Sequence, residues 1–379
     1  MNDSSMKPRV LVLDGDHKNA LAIVRHLGRA GRYAVEVAAR GRASIARFSK
    51  YAARTITLPD PKRDPEAYAN ALLATLETRP YAALVPVSYI SFQVCAGRAD
   101  EIRALTRLAI AGEEAITLAS DKMATYRFAA SLGVPVPKTV EVRDEREVGE
   151  IEMTFPCVIK APFEMGKNVV EYARDREELA RKFARLCREY PFGERLPVVQ
   201  QHVSGDGFGF FAYYEGGACR ARFMHRRLRE YPVTGGASTA AESCRDEELA
   251  ELGTRLLDAL HWEGVAMVEF KQDAATGVYY LMEINAKFWG SLDLALVAGV
   301  DFPGMMVAGA PAGEGGFADA RFQWLLNGEL FHALERPRDA LAVARDLFRS
   351  RNDVWLRDPL PNLFQLLYIP VHYYKKLSR

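Results

Sequence analysis

The sequence predicts an α/β domain built on an open parallel sheet, followed by a strand-rich α+β region and a helical C-terminal extension. Three observations carry this prediction. An apolar strand at 9–14 is followed by a helical pattern at 19–31 and a second strand at 34–38, which is a βαβ unit. From about residue 155 onward, strands outnumber helices. Beyond residue 311 a Gly/Ala-rich loop leads into helical patterns.

The front of the chain, residues 1–113, is expected to form one doubly wound domain. Its further strands are expected at 55–58, 82–87 and 108–111. The turn after the first strand reads Asp14-Gly15-Asp16-His17 and lacks the G-x-G-x-x-G pattern, so dinucleotide binding is poorly supported. Ligands of such sheets bind beyond the carboxyl ends of the strands. The segment 87–91 could therefore touch a substrate, although a loop with a helix cap is the favoured interpretation.

Length and composition indicate a globular protein of two or three domains. The chain has 379 residues, and domains usually contain about 100 to 200. Fifty Lys and Arg against 49 Asp and Glu leave a formal charge of +1, so the overall charge does not point to nucleic acid or an anionic membrane as a partner. No secretion signal and no apolar run of membrane-spanning length is recognised. The five cysteines form no C-x-x-C pair, which is typical of reduced thiols in a cytoplasmic protein.

The most informative stretch consists of two strands, 264–270 and 278–285, joined by a turn-rich loop. Such a pattern predicts an antiparallel pair. With a period of two, Glu269 shares a face with Met267 and Lys271, and Glu283 shares a face with Leu281 and Asn285. The opposite face is expected to be apolar, with Ala266, Val268, Phe270, Met282 and Ile284. The pattern therefore places two carboxylates and an amide near one another.

Two neighbouring carboxylates repel each other, and a divalent cation between them removes that repulsion. Oxygen ligands favour Mg²⁺, with Mn²⁺ as an alternative, whereas nitrogen or sulfur ligands would favour zinc. The solvated polar face of an ordinary hairpin explains the spacing equally well. Lys287 favours the metal site, because it lies two residues past Asn285 and could meet phosphate charge there.

Two further lysines are placed for phosphate contacts. Lys160 ends an apolar strand beside the loop 161–168, where its ammonium group could lean over a nucleotide. Lysines commonly end strands, and Lys122, at the start of a helix, is a weaker candidate still. The loop lacks the G-x-x-x-x-G-K-[ST] pattern, which excludes a P-loop.

Taken together, these pieces resemble the ATP-grasp superfamily, the carboxylate-amine ligase fold. The matching elements, in order, are Asp121-Lys122, the Gly133 to Pro137 bend, the strand ending at Lys160, Val199 to Gly205, His225-Arg226-Arg227, Val268 to Phe270, and Met282 to Lys287. The resemblance implies four parts. They are a pre-ATP-grasp domain at 1–113, an ATP-grasp small lobe at 114–200, a large lobe with the Mg²⁺ site at 201–310, and a C-terminal helical extension at 311–379.

The resemblance also implies roles for individual residues. Lys122 and Lys160 match the lysines that hold the phosphates of ATP, and Lys287 stands where the family usually has an arginine that contacts the transferred phosphate. The magnesium ligands match Glu269, Glu283 and Asn285, and the adenine-binding hinge matches Gln200, Gln201, His202 and Val203. The implied reaction is phosphoryl transfer from ATP to a carboxylate, followed by attack of an amine on the acyl-phosphate, with release of ADP and phosphate.

Several positions depart from the family pattern. The hinge usually has an acidic residue where Gln200 or Gln201 stands, and the ribose-binding acid falls near Gly207, with Asp206 one place off. Lysine at 287 loses the planar fork of arginine. In the basic run that follows His225, either Arg226 or Arg227 clamps a carboxylate or acyl-phosphate, unless the run is simply solvated.

Alternatives to the ligase remain open at this point. One is a phosphotransferase similar to carbamoyl-phosphate synthetase that uses bicarbonate or carbamate, and another is an ATP-binding scaffold without turnover. The expected partners are a small-molecule carboxylate and an amine, with no nucleic acid, and a homodimer is compatible with the resemblance. The aromatic tail, 363–374, is followed by Lys375 and Lys376. We expect it to dock on its own domain or a partner subunit rather than a membrane, because Pro370 interrupts a long amphipathic helix.

Overall fold

The computed structural model describes residues 7–41, 44–165, 169–233, 235–311 and 316–367. Residues 166–168 of the predicted phosphate loop lie outside these ranges, as do residues 368–374 of the predicted tail, Lys375 and Lys376.

The front domain is the predicted α/β unit with an open parallel sheet. Its strands are β1 (Arg9–Val12), β2 (Ala34–Ala39), β3 (Arg54–Thr57) and β4 (Ala83–Val85). They are ordered β3-β2-β1-β4, and all neighbours are parallel. Its helices are α1 (Lys18–Ala30), α2 (Pro65–Thr78), α3 (Tyr89–Gly97), α4 (Ala99–Leu105) and α5 (Glu113–Ser120). The doubly wound fold class predicted for this part of the chain is confirmed.

One predicted strand of this domain, 108–111, was wrong. Among the described residues, the only pairing near it is a single parallel bridge from Arg107 to Ala83. The apolar run that suggested a strand is buried instead, because the later strand Gly264–Asp273 begins against it: a side chain at Gly264 would touch the carbonyl oxygen of Ala109. Burial and strand pairing give the same apolar pattern over four residues, so the sequence did not separate them.

A four-stranded sheet forms the small lobe. Its strands are β5 (Thr139–Glu141), β6 (Cys157–Lys160), β7 (Val170–Ala173) and β8 (Val198–Gln201), in the order β5-β8-β6-β7. Helix α6 (Lys122–Ser131) leads into the lobe and α7 (Arg176–Glu189) covers it. Helix α7 begins at Asp175, whose side chain accepts a hydrogen bond from the Glu178 amide. It packs Leu179, Phe183 and Leu186, one helical stripe, onto the core of the lobe.

A seven-stranded sheet forms the large lobe. Its strands are β9 (Gly205–Glu215), β10 (Ala218–Tyr231), β11 (Ala237–Ser243), β12 (Gly264–Asp273), β13 (Tyr279–Asn285), β14 (Arg321–Gln323) and β15 (Arg351–Asn352). Their order is β13-β12-β9-β10-β11-β14-β15. The helices here are α8 (Glu247–Ala259), α9 (Leu292–Val297) and α10 (Phe302–Ala308). The core of this lobe is continuous with that of the front domain.

The C-terminal extension is largely helical, as predicted. After a π-helical turn at Leu325–Glu329 it contains α11 (Leu330–Glu335), α12 (Ala340–Asp346) and α13, which begins at residue 359 and is described to residue 367. The extension also supplies β14 and β15, which the sequence did not predict. No helix in the described part of the chain has the length and apolar character needed to cross a membrane.

All five cysteines are free thiols, and Cys95 and Cys157 are buried. Burial raises the pKa of the Cys157 thiol to about 11. Burial raises the pKa of the Cys95 thiol as well, so both buried thiols are protonated at neutral pH and behave as packed side chains.

The start of β12 tests how tightly the lobes are packed. We expect Gly264→Ala to destabilise the protein by about 3 kcal/mol or more, because Gly264 has a left-handed backbone conformation with φ 75° and an added Cβ would lie 2.3 Å from Ala109 O. Gly277 has a φ of 74° with nothing within 4 Å of its Cβ, so Gly277→Ala should lose only about 1 to 2 kcal/mol. Urea unfolding measures both, and equal losses would contradict the packing argument.

Candidate active site

Strands β12 and β13 form the predicted hairpin, and their ladder sets Glu269 directly opposite Glu283. Residues paired across antiparallel strands project to the same side, so the two carboxylates share one face. Asn285, two residues further along β13, lies on that face as well. Val268 and Ile284 pair on the opposite face and are buried there. The structure therefore brings the two carboxylates and the amide together.

The hairpin register shifts by one residue just beyond this pair. Glu269 pairs with Glu283, whereas Phe270 pairs with Leu281, so that Met282 is skipped in the ladder. Leu281 consequently lies on the apolar face with Phe270, and both side chains are fully buried. The prediction that Leu281 shares the face of Glu283 was wrong, because unbroken alternation was assumed where the strand contains an irregularity.

Glu283 is held as an anion by its neighbours. Its Oε2 lies 2.8 Å from Lys122 Nζ, and its Oε1 accepts a 2.6 Å hydrogen bond from Asn285 Nδ2. Burial by itself would raise the pKa of Glu283, but the charge and hydrogen bond of Lys122, the Asn285 amide and the charge of Lys287 together hold that pKa well below its usual range. The same pairing raises the pKa of Lys122. Both groups are therefore charged at neutral pH.

Glu269 is in a different state from its neighbour. Burial raises the pKa of Glu269, and the charges of Glu283 and Glu230 raise it further, against the opposing charges of Arg227 and Lys160. Its Oε1 lies 3.1 Å from Arg227 Nη2. Glu283 is thus ionised, whereas Glu269 would be stabilised as an anion by additional positive charge nearby.

Glycines on β9 allow Arg227 to reach Glu269. Arg227 is on β10 and Glu269 on β12, about 10 Å apart across the intervening strand. On this face β9 presents Gly207 and Gly209, opposite Lys271 and Glu269. A Cβ at Gly207 would lie 3.5 Å from Arg227 Nε, so the guanidinium passes over the space that a side chain would fill. Glu230 and the Gly236 carbonyl oxygen, at 3.0 and 3.2 Å from Arg227 Nη1, fix its orientation.

Lys160 and Lys271 are two further cations that interact with Glu269. Lys160 ends β6 in the small lobe, as the sequence predicted, and its charge is close enough to lower the pKa of Glu269. Lys271 Nζ donates a 3.3 Å hydrogen bond to Val203 O in the hinge, and burial lowers the pKa of Lys271. Positive groups from both lobes therefore face the carboxylate pair.

Lys287 lies at the border with the front domain. Its Nζ is 3.3 Å from Glu164 Oε2 and 5.8 Å from the ring centroid of Tyr89. These groups line a cleft together with Lys122 and Asn285. In the segment 87–91, Ser88 caps α3 by accepting from the Ser91 amide, as expected for a loop, and the next residue, Tyr89, reaches the cleft. The helix-cap interpretation of that segment is confirmed, whereas its contact with a substrate stays a prediction.

The hinge segment crosses between the lobes at the end of β8. Gln200 is buried, and its Nε2 donates a 2.9 Å hydrogen bond to Thr139 Oγ1. The Gln201 amide donates to Lys138 O. His202 lies edge-on to Tyr172, and burial lowers its pKa. In this structure the side chain of Gln200 is used within the lobe, which leaves backbone groups and residues 201–203 to meet a ligand.

The structure separates the two arginines that the sequence left as alternatives. Arg226 pairs with Phe208 on β9, one residue out of phase with Gly209, so its side chain lies on the sheet face opposite to Glu269. There Arg226 Nη2 is 2.6 Å from Glu242 Oε1, and its Nη1 is 3.6 Å from Asp206 Oδ2. Arg227, not Arg226, joins the carboxylate pair. Asp206 lies on the same face as Arg226, opposite to the face that carries Glu269 and the predicted nucleotide contacts.

Some residues at the site were not assigned from the sequence. Glu230 and Lys271 lie beside Arg227 and Glu269, and each is two or three residues from an assigned position. His225 pairs with Gly209 in the same row as Glu269, and burial lowers the pKa of His225 to about 3, so its ring is neutral. The strand period placed Lys271 on the face of Glu269 without giving it a role, and it could have placed His225 there as well. The position of Glu230 depends on register shifts in β10 that no pattern indicates.

The residues present fit a hard divalent cation. Two carboxylates face each other, a carboxamide adjoins them, and Glu269 in particular gains from added positive charge. Within the described ranges no group of three or more His, Cys, Asp or Glu side chains is arranged to bind a metal. The donor set here contains two such groups, Glu269 and Glu283, plus the Asn285 amide, a set typical of Mg²⁺ that also binds substrate phosphates.

The pairing of Lys122 with Glu283 predicts a pH-dependent contribution to stability. Because the folded pKa of Glu283 lies below its usual 4.5, its contribution is fully present above about pH 5 and is lost as the pH falls toward the folded value. We expect Lys122→Met to lower the free energy of unfolding by about 2 kcal/mol at pH 7 and by less at pH 4. Urea unfolding at both pH values measures the difference, and a deficit that grows on acidification would contradict the prediction.

Comparisons with known proteins agree with this fold. Residues 221–321 match the family model described as ATP-grasp in the biosynthetic pathway with Ter operon. The D-alanine–D-alanine ligase of Pseudomonas entomophila is 23% identical over 218 residues, 51% of this chain and 64% of that ligase. The chain spans less than two thirds of the length of the curated relatives it matches.

Solved structures resemble most of the chain. The L-amino acid ligase from Bacillus licheniformis has a TM-score of 0.63 and 17% identity, covering 80% of this chain and 74% of the ligase. The N5-carboxyaminoimidazole synthetase from Staphylococcus aureus, complexed with ADP, has a TM-score of 0.64 and 16% identity, covering 85% and 83%. The chain therefore has the fold of this ligase and this synthetase, and one segment of it, residues 221–321, matches an ATP-grasp family model.

Proposed function

We propose that the protein is an ATP-dependent ligase that phosphorylates a small-molecule carboxylate and couples the acyl-phosphate to an amine, releasing ADP and phosphate. The observation that carries this proposal is the Glu269–Glu283 pair, which faces cationic groups from both lobes. The similarity to an L-amino acid ligase and to a D-alanine–D-alanine ligase supports the same reaction class. A cytoplasmic location is part of the proposal.

Each side chain of the site has a role in this proposal. Glu269, Glu283 and Asn285 would hold Mg²⁺, which neutralises charge on the triphosphate when it is bound. Lys122 and Lys160 would contact phosphate oxygens as point charges. The hinge at 200–203 would hold adenine. Phosphoryl transfer depends mainly on positioning and charge neutralisation, and these groups are of the kind that provides both.

Arg227 and Lys287 would act at the two ends of the reaction centre. Arg227 is fixed by Glu230 and the Gly236 carbonyl and positions Glu269. Lys287, held by Glu164 beside Tyr89, would meet the transferred phosphoryl group at the border with the front domain. The carboxylate oxygen of the substrate attacks the γ-phosphorus and ADP leaves; the amine then attacks the acyl carbon and phosphate leaves. Closure of the two lobes would exclude water from the acyl-phosphate.

Removing a carboxylate tests the metal assignment. We expect Glu283→Gln and Glu269→Gln each to lower ADP formation by about a hundredfold or more, because each change removes one of the two negative charges that would hold the cation. Glu242→Gln is the matched control, since Glu242 is on the opposite face of the same sheet beside Arg226. The assay is ADP release over a panel of amino acids and sugar acids, each with and without an amine. Full activity of Glu283→Gln in a folded protein would refute the assignment.

The same assay separates the reaction classes. A ligase releases ADP only when acid and amine are both present. Release with bicarbonate alone would indicate the phosphotransferase reaction, and protection by ATP against thermal unfolding without any product would indicate a scaffold.

The two neighbouring arginines offer a second matched pair of variants. We expect Arg227→Lys to reduce turnover by about tenfold or more, because lysine cannot hold Glu269, Glu230 and the Gly236 carbonyl together. Arg226→Lys should change turnover by less than about threefold, since it alters an exposed ion pair on the other face. Steady-state ADP formation measures both, and equal losses would contradict the proposed division between the two faces.

A further inference from the structure

Helix α13 presents its apolar side to solvent and its polar side to the protein. Leu360, Leu363 and Leu367 are 58%, 53% and 75% exposed, and Leu366 is exposed beside them. Their spacing of three and four residues places them on one face of the helix. Asn362 and Gln365, on the other side, are buried. This is the reverse of the usual arrangement of a surface helix.

The polar side is anchored, so the helix is not free to turn its leucines inward. Asn362 Oδ1 accepts a 2.7 Å hydrogen bond from Arg25 Nη2, and its Nδ2 donates to Asp353 O. Asp358, just before the helix, accepts from Arg25 Nε at 2.9 Å and from Ser49 Oγ at 2.8 Å. Turning the leucines inward would leave Arg25 and Asp358 buried without partners, which is strongly unfavourable.

The segment that precedes α13 in the chain is cationic. Between residues 336 and 357 the exposed arginines are Arg336, Arg338, Arg345, Arg349, Arg351 and Arg357. The acids of the same segment are largely turned inward: Asp346 bonds Arg229, and Asp353 is buried. Asp339 is half-buried beside His332. Phe348, 92% exposed, adds a further apolar side chain between the arginines.

We propose that the leucine face of α13 and the exposed arginines of the segment before it bind the surface of an anionic lipid membrane. A peripheral membrane helix combines exposed leucines with cations, since the apolar face enters the headgroup boundary and the cations meet lipid phosphates. The chain continues past the helix with tyrosines and lysines, residues enriched at membrane interfaces. The proposal stands independently of the ligase reaction.

A second copy of the chain fits this surface less well. A two-fold dimer through the same patch would bring together two copies of a chain segment rich in exposed arginines. The acids that could offset this repulsion, Asp346, Asp353 and Asp358, are already buried in internal contacts. The segment from 363 onward, expected to dock on its own domain or a partner, does dock through Phe364, which stacks on Phe48, while its leucines remain outside.

Vesicle sedimentation with the full chain tests the proposal. We expect binding to vesicles of phosphatidylcholine with 30% phosphatidylglycerol. Binding to phosphatidylcholine alone should be weaker by about tenfold or more, and high salt should abolish binding to the anionic vesicles. Leu360→Gln/Leu363→Gln/Leu367→Gln should weaken binding by about tenfold or more. Each of Arg349→Gln, Arg351→Gln and Arg357→Gln should weaken it by about fivefold.

Matched controls separate lipid binding from misfolding. Leu105 and Val297 are also exposed but belong to the front domain and the large lobe, so Leu105→Gln/Val297→Gln should bind vesicles as the unchanged protein does. Circular dichroism and thermal unfolding verify that every variant is folded. Equal binding to neutral and anionic vesicles, or no binding to either, overturns the proposal. So does a dimer in light scattering that the leucine variant converts to a monomer while lipid binding is absent.

Discussion

The site depends on the repulsion between two carboxylates that the β12–β13 ladder holds opposite each other. Glu269 and Glu283 are on adjacent strands of one hairpin and have no freedom to separate. Lys122 satisfies Glu283, whereas Glu269 shares Arg227 with Glu230 and keeps a raised pKa. This imbalance is stable only because cations from α6, β6 and β10 converge on the pair. The packing of the two lobes against each other places those cations beside the carboxylate pair.

Strand β9, which lies between β10 and β12, has two glycines on the site face. Gly207 leaves the space through which Arg227 on β10 reaches Glu269 on β12, whereas the space at Gly209 is filled by the ring of Phe211. The same strand packs Phe208 and Phe210 on its opposite face, where both are buried. Strand β9 thus packs phenylalanines on one face and leaves room for Arg227 on the other. The alternation of glycine and phenylalanine at 207–210 accounts for both properties.

Sequence patterns predicted the parts of this molecule that depend on local periodicity. The βαβ opening, the hairpin and the face shared by Glu269 and Glu283 follow from repeats of two and 3.6 residues. The patterns failed where a contact between distant segments decides. The stretch 108–111 is apolar because β12 covers it, and Leu281 changes face because of a register shift. The choice between Arg226 and Arg227 depends on the phase of β10 against β9, which no single strand reveals.

The last strands of the chain have a consequence for how the protein can be divided. Strand β14 pairs with β11, and β15 pairs with β14, so residues beyond 320 cover what would otherwise be a bare sheet edge. A fragment ending near residue 310 would expose the unpaired backbone of Ala240 to Glu242 and invite edge-to-edge association. The C-terminal extension therefore protects the edge of the large-lobe sheet. Solubility is the first property to measure in shortened forms of the chain.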